Sequence, residues 1–495
     1  MFIPAPIFSD HMILSRRKEI RVFGTADEGS TITGTLDGKT ASAKAYGGRF
    51  QLIFPPMEAG VDYTLTLTDG ETSYTFTDVA IGDVFLAGGQ SNMELELQNA
   101  DEGQELIKTH NDPLLRSFYV PKVPSLTQEF LQNERQNSHW ELCAPGQIKI
   151  ISAVAYFFAL KVRKEQNVPV GIIGCNWGGT SASCWVEESV LAQNAAGQVY
   201  LDLYKEKVGD KTEEQYDIEL AEYDKINAAW CKRVDEVKAA QPGIAWGELI
   251  KIAGDCPWPP PMGSKSPFRP AGLVETMLKR VAPYNVTAFL FYQGEEDTAR
   301  PEWYEMLLTT MVLNWRKLFN DNEIPFLNVQ LPVFKNEGEE DYNNWGDLRY
   351  QQWKVYRNLR NSGLAITIDC GELGNIHPTD KRTVGERLYQ VALPIVYGQP
   401  GETSVYATGK YPEGGKLVVT LSGKVQEKGE AAAFFEVAGA DGAFVKAEAE
   451  VIGDRILLHA DGIADPVKAR YAHLNYVTVN LFGENGLPLA PFVLE

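Results

Sequence analysis

The sequence predicts an α/β protein whose parallel sheet lies between two β-rich flanking units. Three observations predict it. From residue 20 to 79 short stretches alternate apolar and polar residues between glycine-containing turns; from Asp83 onward apolar strand-like runs alternate with helical segments; and from about Gly401 the alternation returns. At 495 residues the chain exceeds what one compact core serves, so several domains are expected. We divide it into an N-terminal β-sandwich-like unit (1–80), an α/β unit (81–399) and a C-terminal β-rich unit (400–495).

The first unit rests on the stretches 30–36 and 63–68 and on turns at Asp37-Gly38, Gly47-Gly48 and Asp69-Gly70. In the second, strands are expected at 84–87, 116–120, 170–175, 286–292, 326–330 and 364–369. Tyr304, Leu307, Leu308, Met311, Trp315 and Leu318 recur at three- and four-residue steps, which predicts an amphipathic helix between two of those strands. A charge-rich stretch at about 187–240 reads as a helical insertion. Tyr216, Leu220, Tyr223, Ile226, Trp230, Val234 and Val237 mark its apolar face, and Thr212 with Gln215 forms a capping box at its start. A proline-rich loop follows at 256–261.

Composition narrows the function. Lys+Arg 46 against Asp+Glu 66 gives a net charge of −20, a surface that repels nucleic acid and anionic lipid; a neutral substrate fits better. The longest apolar run, 150–160, is broken by Ser152 and falls short of the ~20 residues a membrane span needs. The N-terminus lacks a basic start and meets Asp10 and His11 early, so a cytoplasmic location or an already processed periplasmic or secreted form is expected. Six scattered cysteines without a C-x-x-C pair predict free, buried thiols; no H-E-x-x-H occurs, and neither a metal nor a cofactor is expected. The segment 34–40 imitates a phosphate loop but is one residue short and lies in a hairpin pattern. The adjacent acids Glu295/Glu296 and Glu339/Glu340 cannot flank a scissile bond from two faces, as a glycosidase pair must.

The residues that point to chemistry follow the strands. The strand at 83–87 runs into Gly88-Gly89-Gln90-Ser91-Asn92-Met93, placing Ser91 where a strand's carboxyl end meets a helix start. Glycines relieve crowding at such a turn, and helical N–H groups favour the negative charge of acyl transfer. A glycine turn merely capped by serine would leave the same trace. Met93 stands where the α/β-hydrolase elbow needs its second glycine, so that elbow is excluded. Of six histidines, His377 alone follows an α/β strand by a short loop, and the carboxyl edge of a parallel sheet would bring it to Ser91. Two further strand ends, Asn176-Trp177-Gly178-Gly179-Thr180 and Gln293-Gly294-Glu295-Glu296-Asp297, offer glycine N–H groups and a side-chain amide, the donors an oxyanion hole requires beside the N–H of Ser91.

In the order in which they occur, 7–12, 89–94, 177–180, 292–295, 376–381 and 486–492 resemble the signatures of the sialate O-acetylesterases, within the SGNH (GDSL-like) hydrolases and related to the acetylxylan esterases. The resemblance covers nearly the whole chain. It implies a flavodoxin-like three-layer core and a serine esterase acting on O-acetylated carbohydrate. It also implies Ser91 as nucleophile, His377 as base, and Gly178 or Gly179 with Gln293 as oxyanion donors. The superfamily places its triad aspartate three residues before the histidine, where this chain has Gly374; Asn375, Glu372, Asp369 or a main-chain carbonyl are the alternatives, as is a serine–histidine dyad. Glu295 and Asn375 are assigned supporting roles. Trp177, Trp185 and Trp258 are candidate sugar-stacking surfaces. A glycan-binding protein without activity, an acetylxylan-type esterase and a longer-chain deacylase are the competing readings.

Overall fold

The structure is a computed structural model describing residues 2–241, 244, 246–429 and 431–495. Its organising element is the strand Ser73–Gly89. The first half pairs antiparallel with Gly60–Thr68 and parallel with Ile13–Ser15, within the N-terminal β region. The second half lies inside a parallel stack, and the strand runs unbroken through residues 80 and 81.

Across the stack the order is Trp140–Cys143, Asp112–Tyr119, Val170–Asn176, Ser73–Gly89, Ala288–Tyr292, Phe326–Val329, Ser362–Ala365; only the first pair is antiparallel. Every residue of Val170–Asn176 and of Ala288–Tyr292 is buried, the pattern of strands covered on both faces. Phe158, on the helix Ala153–Gln166, packs edge-on to Phe85, whereas Trp315, on the helix Tyr304–Leu318, packs edge-on to Phe289. Phe289 is the register partner of Leu86. Successive strand residues point to opposite faces, so these helices cover opposite sides of the sheet and make three layers.

The expected strands are present with small shifts, save the last. It ends at Ala365 rather than at 369. The Thr367 hydroxyl bonds to the Gln330 carbonyl, and the N–H of Cys370 closes on the carbonyl of Thr367, turning the chain out of the sheet. Ile366 and Ile368 are instead buried with Val333 and Leu364 in a second core shared with the C-terminal β region, where Leu417, Val419, Phe435, Ile456 and Tyr471 meet them. Among the described residues, two antiparallel four-stranded sheets and the two-stranded pair Val425–Glu427 and Leu481–Gly483 build that region.

The insertion contains the helices Ala195–Val208 and Glu213–Ala240, the latter opened by the expected Thr212/Gln215 capping box. Its apolar face is only partly used: Trp230 and Val234 pack with Leu249 and Ala253 of the helix Trp246–Ala253, while Ile226 is 53% exposed. All six cysteines are free, but only Cys143, Cys175 and Cys184 are buried as expected; Cys256 and Cys370 are half-buried and Cys231 is exposed. Among the described residues no helix is long and apolar enough to cross a membrane, and no group of His, Cys, Asp and Glu side chains is arranged to hold a metal.

Candidate active site

Gly89 has φ +136°, and a Cβ there would lie 2.1 Å from the carbonyl oxygen of Tyr292. Only glycine permits this approach, and it throws Gln90 and Ser91 beyond the sheet edge. The helix that follows is a single turn, Ser91–Glu94, shorter than the sequence suggests, so its field is small. As its first residue, Ser91 has a main-chain N–H without an intrahelical acceptor. The half-buried hydroxyl of Ser91 lies 2.8 Å from Nε2 of His377, across 286 positions of sequence. Burial first, and then the positive charges of Lys381 and Lys238, push the His377 imidazole down to about 4.

Beneath this pair lies a polar cluster the sequence reading did not single out. Asn92, fully buried, donates through Nδ2 to Glu295 Oε1 (2.6 Å) and to the carbonyl of Ile376 (2.9 Å), the residue before His377. Its Oδ1 accepts from the buried ammonium of Lys381 at 2.6 Å. Burial pushes the Lys381 ammonium down to about 8, and burial likewise raises the Glu295 carboxyl. Glu295 therefore meets the serine turn rather than the histidine. Asn375 accepts the main-chain N–H of His377 (3.1 Å) and donates to Glu372 (2.8 Å), and both oxygens of Asp369 are held by Arg387 at 2.5 and 2.7 Å.

The oxyanion assignment changes in one respect. Gln293 is fully buried; its Nε2 donates to the carbonyl of Thr180 (3.1 Å) and to Asp297 (2.6 Å), and its Oε1 accepts from the Tyr304 hydroxyl. Both amide hydrogens are committed, so Gln293 clamps two strand-end loops and offers nothing to a substrate. Asp297 completes that clamp by accepting from Ser181, Ala182 N and Tyr200 as well. Gly178 does lie beside the serine, since a Cβ on it would be 3.3 Å from that of Ser91. Its N–H donates to Glu94 Oε2 at 2.5 Å, and Glu94 also pairs with Lys122, whose ammonium stands over the rings of Tyr119 and Trp177. Gly179, at φ +71°, lies under the Trp258 ring.

Trp258 is 46% exposed and Trp177 half-buried, but Trp185 is wholly buried, its indole N–H bonded to Thr180 and its ring against Trp315. It cannot stack on a sugar. A cavity of about 90 Å³ adjoins Gly179, walled by Tyr200, Tyr204, Trp258, Met262 and Phe268. Asn92, Glu94 and Lys381 all stand inside motifs quoted above. Their signal was visible, whereas that of Lys122 was not.

Residues 268–393 match the family model described as carbohydrate esterase, sialic acid-specific acetylesterase. The sialate O-acetylesterase of Mus musculus is 24% identical over 436 residues, covering 81% of this chain and 74% of that protein. The Homo sapiens protein of that name is 22% identical over 416 residues, covering 77% and 68%. The crystal structure of a carbohydrate acetylesterase from Xanthomonas citri superimposes with a TM-score of 0.79 at 28% identity, covering 100% of both chains. With these matches added to its fold, the chain is a carboxylic ester hydrolase related to the sialate O-acetylesterases.

Proposed function

We propose that the chain removes O-acetyl groups from sugars through an acetyl-enzyme, with Ser91 as nucleophile and His377 as general base. The observation that carries this is the 2.8 Å contact between Ser91 Oγ and His377 Nε2 at a half-buried rim. His377 takes the hydroxyl proton as Oγ attacks the acetyl carbonyl, then returns it to the departing sugar hydroxyl. Water, deprotonated by the same imidazole, releases acetate. The N–H groups of Ser91 and of Gly178 or Gly179 face the developing oxyanion, that of Gly178 once the substrate displaces Glu94.

The strand order supports an SGNH-type, flavodoxin-like core within 81–399, flanked by the β units 1–80 and 400–495. Numbered along the chain, the six parallel strands Asp112–Tyr119, Val170–Asn176, Ser73–Gly89, Ala288–Tyr292, Phe326–Val329 and Ser362–Ala365 lie in the order 2-3-1-4-5-6, and without Asp112–Tyr119 the other five keep the flavodoxin-like order 2-1-3-4-5. In such sheets ligands sit at the carboxyl ends where the order reverses, here beside Gln90 and Gly294. The aromatic wall at Trp258, Tyr204 and Phe268 supports a sugar ring, and the names of the relatives support an O-acetylated sialic acid as the sugar.

The test is acetate release from a panel of acetylated sialic acids, acetylated xylo-oligosaccharides and other sugar acetates, with butyrate esters beside them. Ser91→Ala and His377→Ala should each lower kcat by at least about 10³-fold. Full activity in Ser91→Ala refutes the assignment, and preference for butyrate over acetate refutes the acetyl specificity.

A further inference from the structure

The least expected side chain in this region is Lys381. It is the first residue of the helix Lys381–Ala392, where a cation opposes the helix dipole, and it is 1% exposed, where an ammonium loses its hydration. Neither location favours lysine for stability. Asp380, immediately before it, already caps the helix by accepting from the Thr383 N–H. Two features hold the ammonium there: Asn92 Oδ1 at 2.6 Å and the face of the Tyr292 ring at 5.6 Å. Glu295 contributes a nearby buried carboxylate whose Oε2 has no hydrogen-bond donor among the described residues.

Asn92 is the only described side chain bonded both to the loop carrying His377, through Ile376 O, and to the loop after Ala288–Tyr292, through Glu295. It also follows Ser91 directly. An asparagine amide can rotate by 180° and exchange donor for acceptor, and a cation fixed on Oδ1 forbids that exchange. With Lys381 in place, Nδ2 must face Ile376.

Building on the serine–histidine reading, we propose that Lys381 is a positioning residue of the hydrolase. Its ammonium locks the orientation of Asn92 and thereby the approach of His377 to Ser91, and its charge opposes a proton on the resting imidazole. The charges around His377 agree with that role. Lys381, on the helix Lys381–Ala392, and Lys238, on the helix Glu213–Ala240, both oppose its protonation. Glu295, Glu372 and Asp380 act on Lys381, Asp369 is paired with Arg387, and Glu94 with Lys122. Burial first, and then the charges of Lys381 and Lys238, account for the downward displacement of the imidazole.

The experiment is the pH profile of kcat/KM for an acetylated sugar, with acetate measured directly, for the full chain and for Lys381→Met, Lys381→Arg and Ser91→Ala. Lys381→Met should lower kcat about 10- to 100-fold with little change in KM, because alignment is lost rather than binding. It should also move the acid limb up by about one pH unit, because a charge opposing protonation is gone. A residue that merely supports the fold would lower activity without moving the limb, and that result overturns the proposal. Lys381→Arg retains the charge, so its limb should coincide with that of the unmodified chain; a limb displaced by a full unit there overturns the proposal even if the methionine variant does not fold. Ser91→Ala separates the two levels. If it is inactive while the Lys381→Met limb stays put, only the Lys381 assignment falls; if it is fully active, the esterase site itself is wrong.

Discussion

Lowering the pH tests the electrostatics of the site most directly, because only the neutral imidazole can accept the Ser91 proton. With His377 displaced to about 4, roughly nine-tenths of the enzyme carries a neutral base at pH 5, whereas an imidazole at its ordinary ~6.5 would leave only about 3%. The two cases differ about 30-fold in kcat/KM at that pH. Acetate release should be followed between pH 3.5 and 8 at constant ionic strength, by a detection step that does not itself titrate in that range. A half-maximum near 4 is expected. A half-maximum near 6.5 would refute the claim that burial and the charges of Lys381 and Lys238 control the base. The same displacement has a stability consequence. In the unfolded chain the histidine takes up a proton near pH 6.5, and in the folded chain it does so only near 4. His377 therefore contributes a loss of stability as the pH falls through that window, of roughly 3 kcal/mol by its end. His377→Gln should flatten that part of the stability profile.

Asp297→Ala would leave Ser181, Ala182 N, Tyr200 and Gln293 without their shared acceptor. Relief from burying the carboxylate offsets part of that, so a net loss of about 3 kcal/mol is expected, read as a lower urea midpoint at unchanged m-value; an unchanged midpoint would contradict the clamp. Gly179→Ala would set a Cβ 2.3 Å from Trp258 Cη2 at a φ of +71°, costing about 1–2 kcal/mol. In combination with Trp258→Ala the steric share should vanish, so a double-mutant cycle showing strict additivity would refute the contact.

The sheet was legible in the sequence because strands covered on both faces are continuous apolar runs. The edge strand Trp140–Cys143 was not, being short and half-buried. The overlong strand at 364–369 has a specific cause: Ile366 and Ile368 are as apolar as strand residues, but they serve the core shared with the C-terminal region. Ile226 fits the helical period of the insertion, yet the partner helix meets only the neighbouring turn at Trp230 and Val234. At the site, Ser91 and His377 could be paired because each follows a strand end. Gln293 misled because, besides Asp297 four residues on, its amide is taken by Thr180 O from a distant loop, which no local pattern reveals. Asn92 and Lys381 stood in plain view, 289 positions apart.

What holds the proposed dyad is the commitment of polar side chains around it. Gln90 accepts from Gly294 N, Asn92 reaches Ile376 O and Glu295, and Gln293 with Asp297 ties the 180–182 segment to the end of Ala288–Tyr292. Apolar residues of equal volume could fill this space at less desolvation cost, but they would fix volume and not direction. A dyad spanning 286 positions needs direction, since an ångström of drift between Oγ and Nε2 would break the proton path. Burying an amide, a carboxylate and an ammonium together under the serine turn makes physical sense only where such alignment is required. That requirement, more than the presence of a serine and a histidine, is what supports the proposed site at this sheet edge.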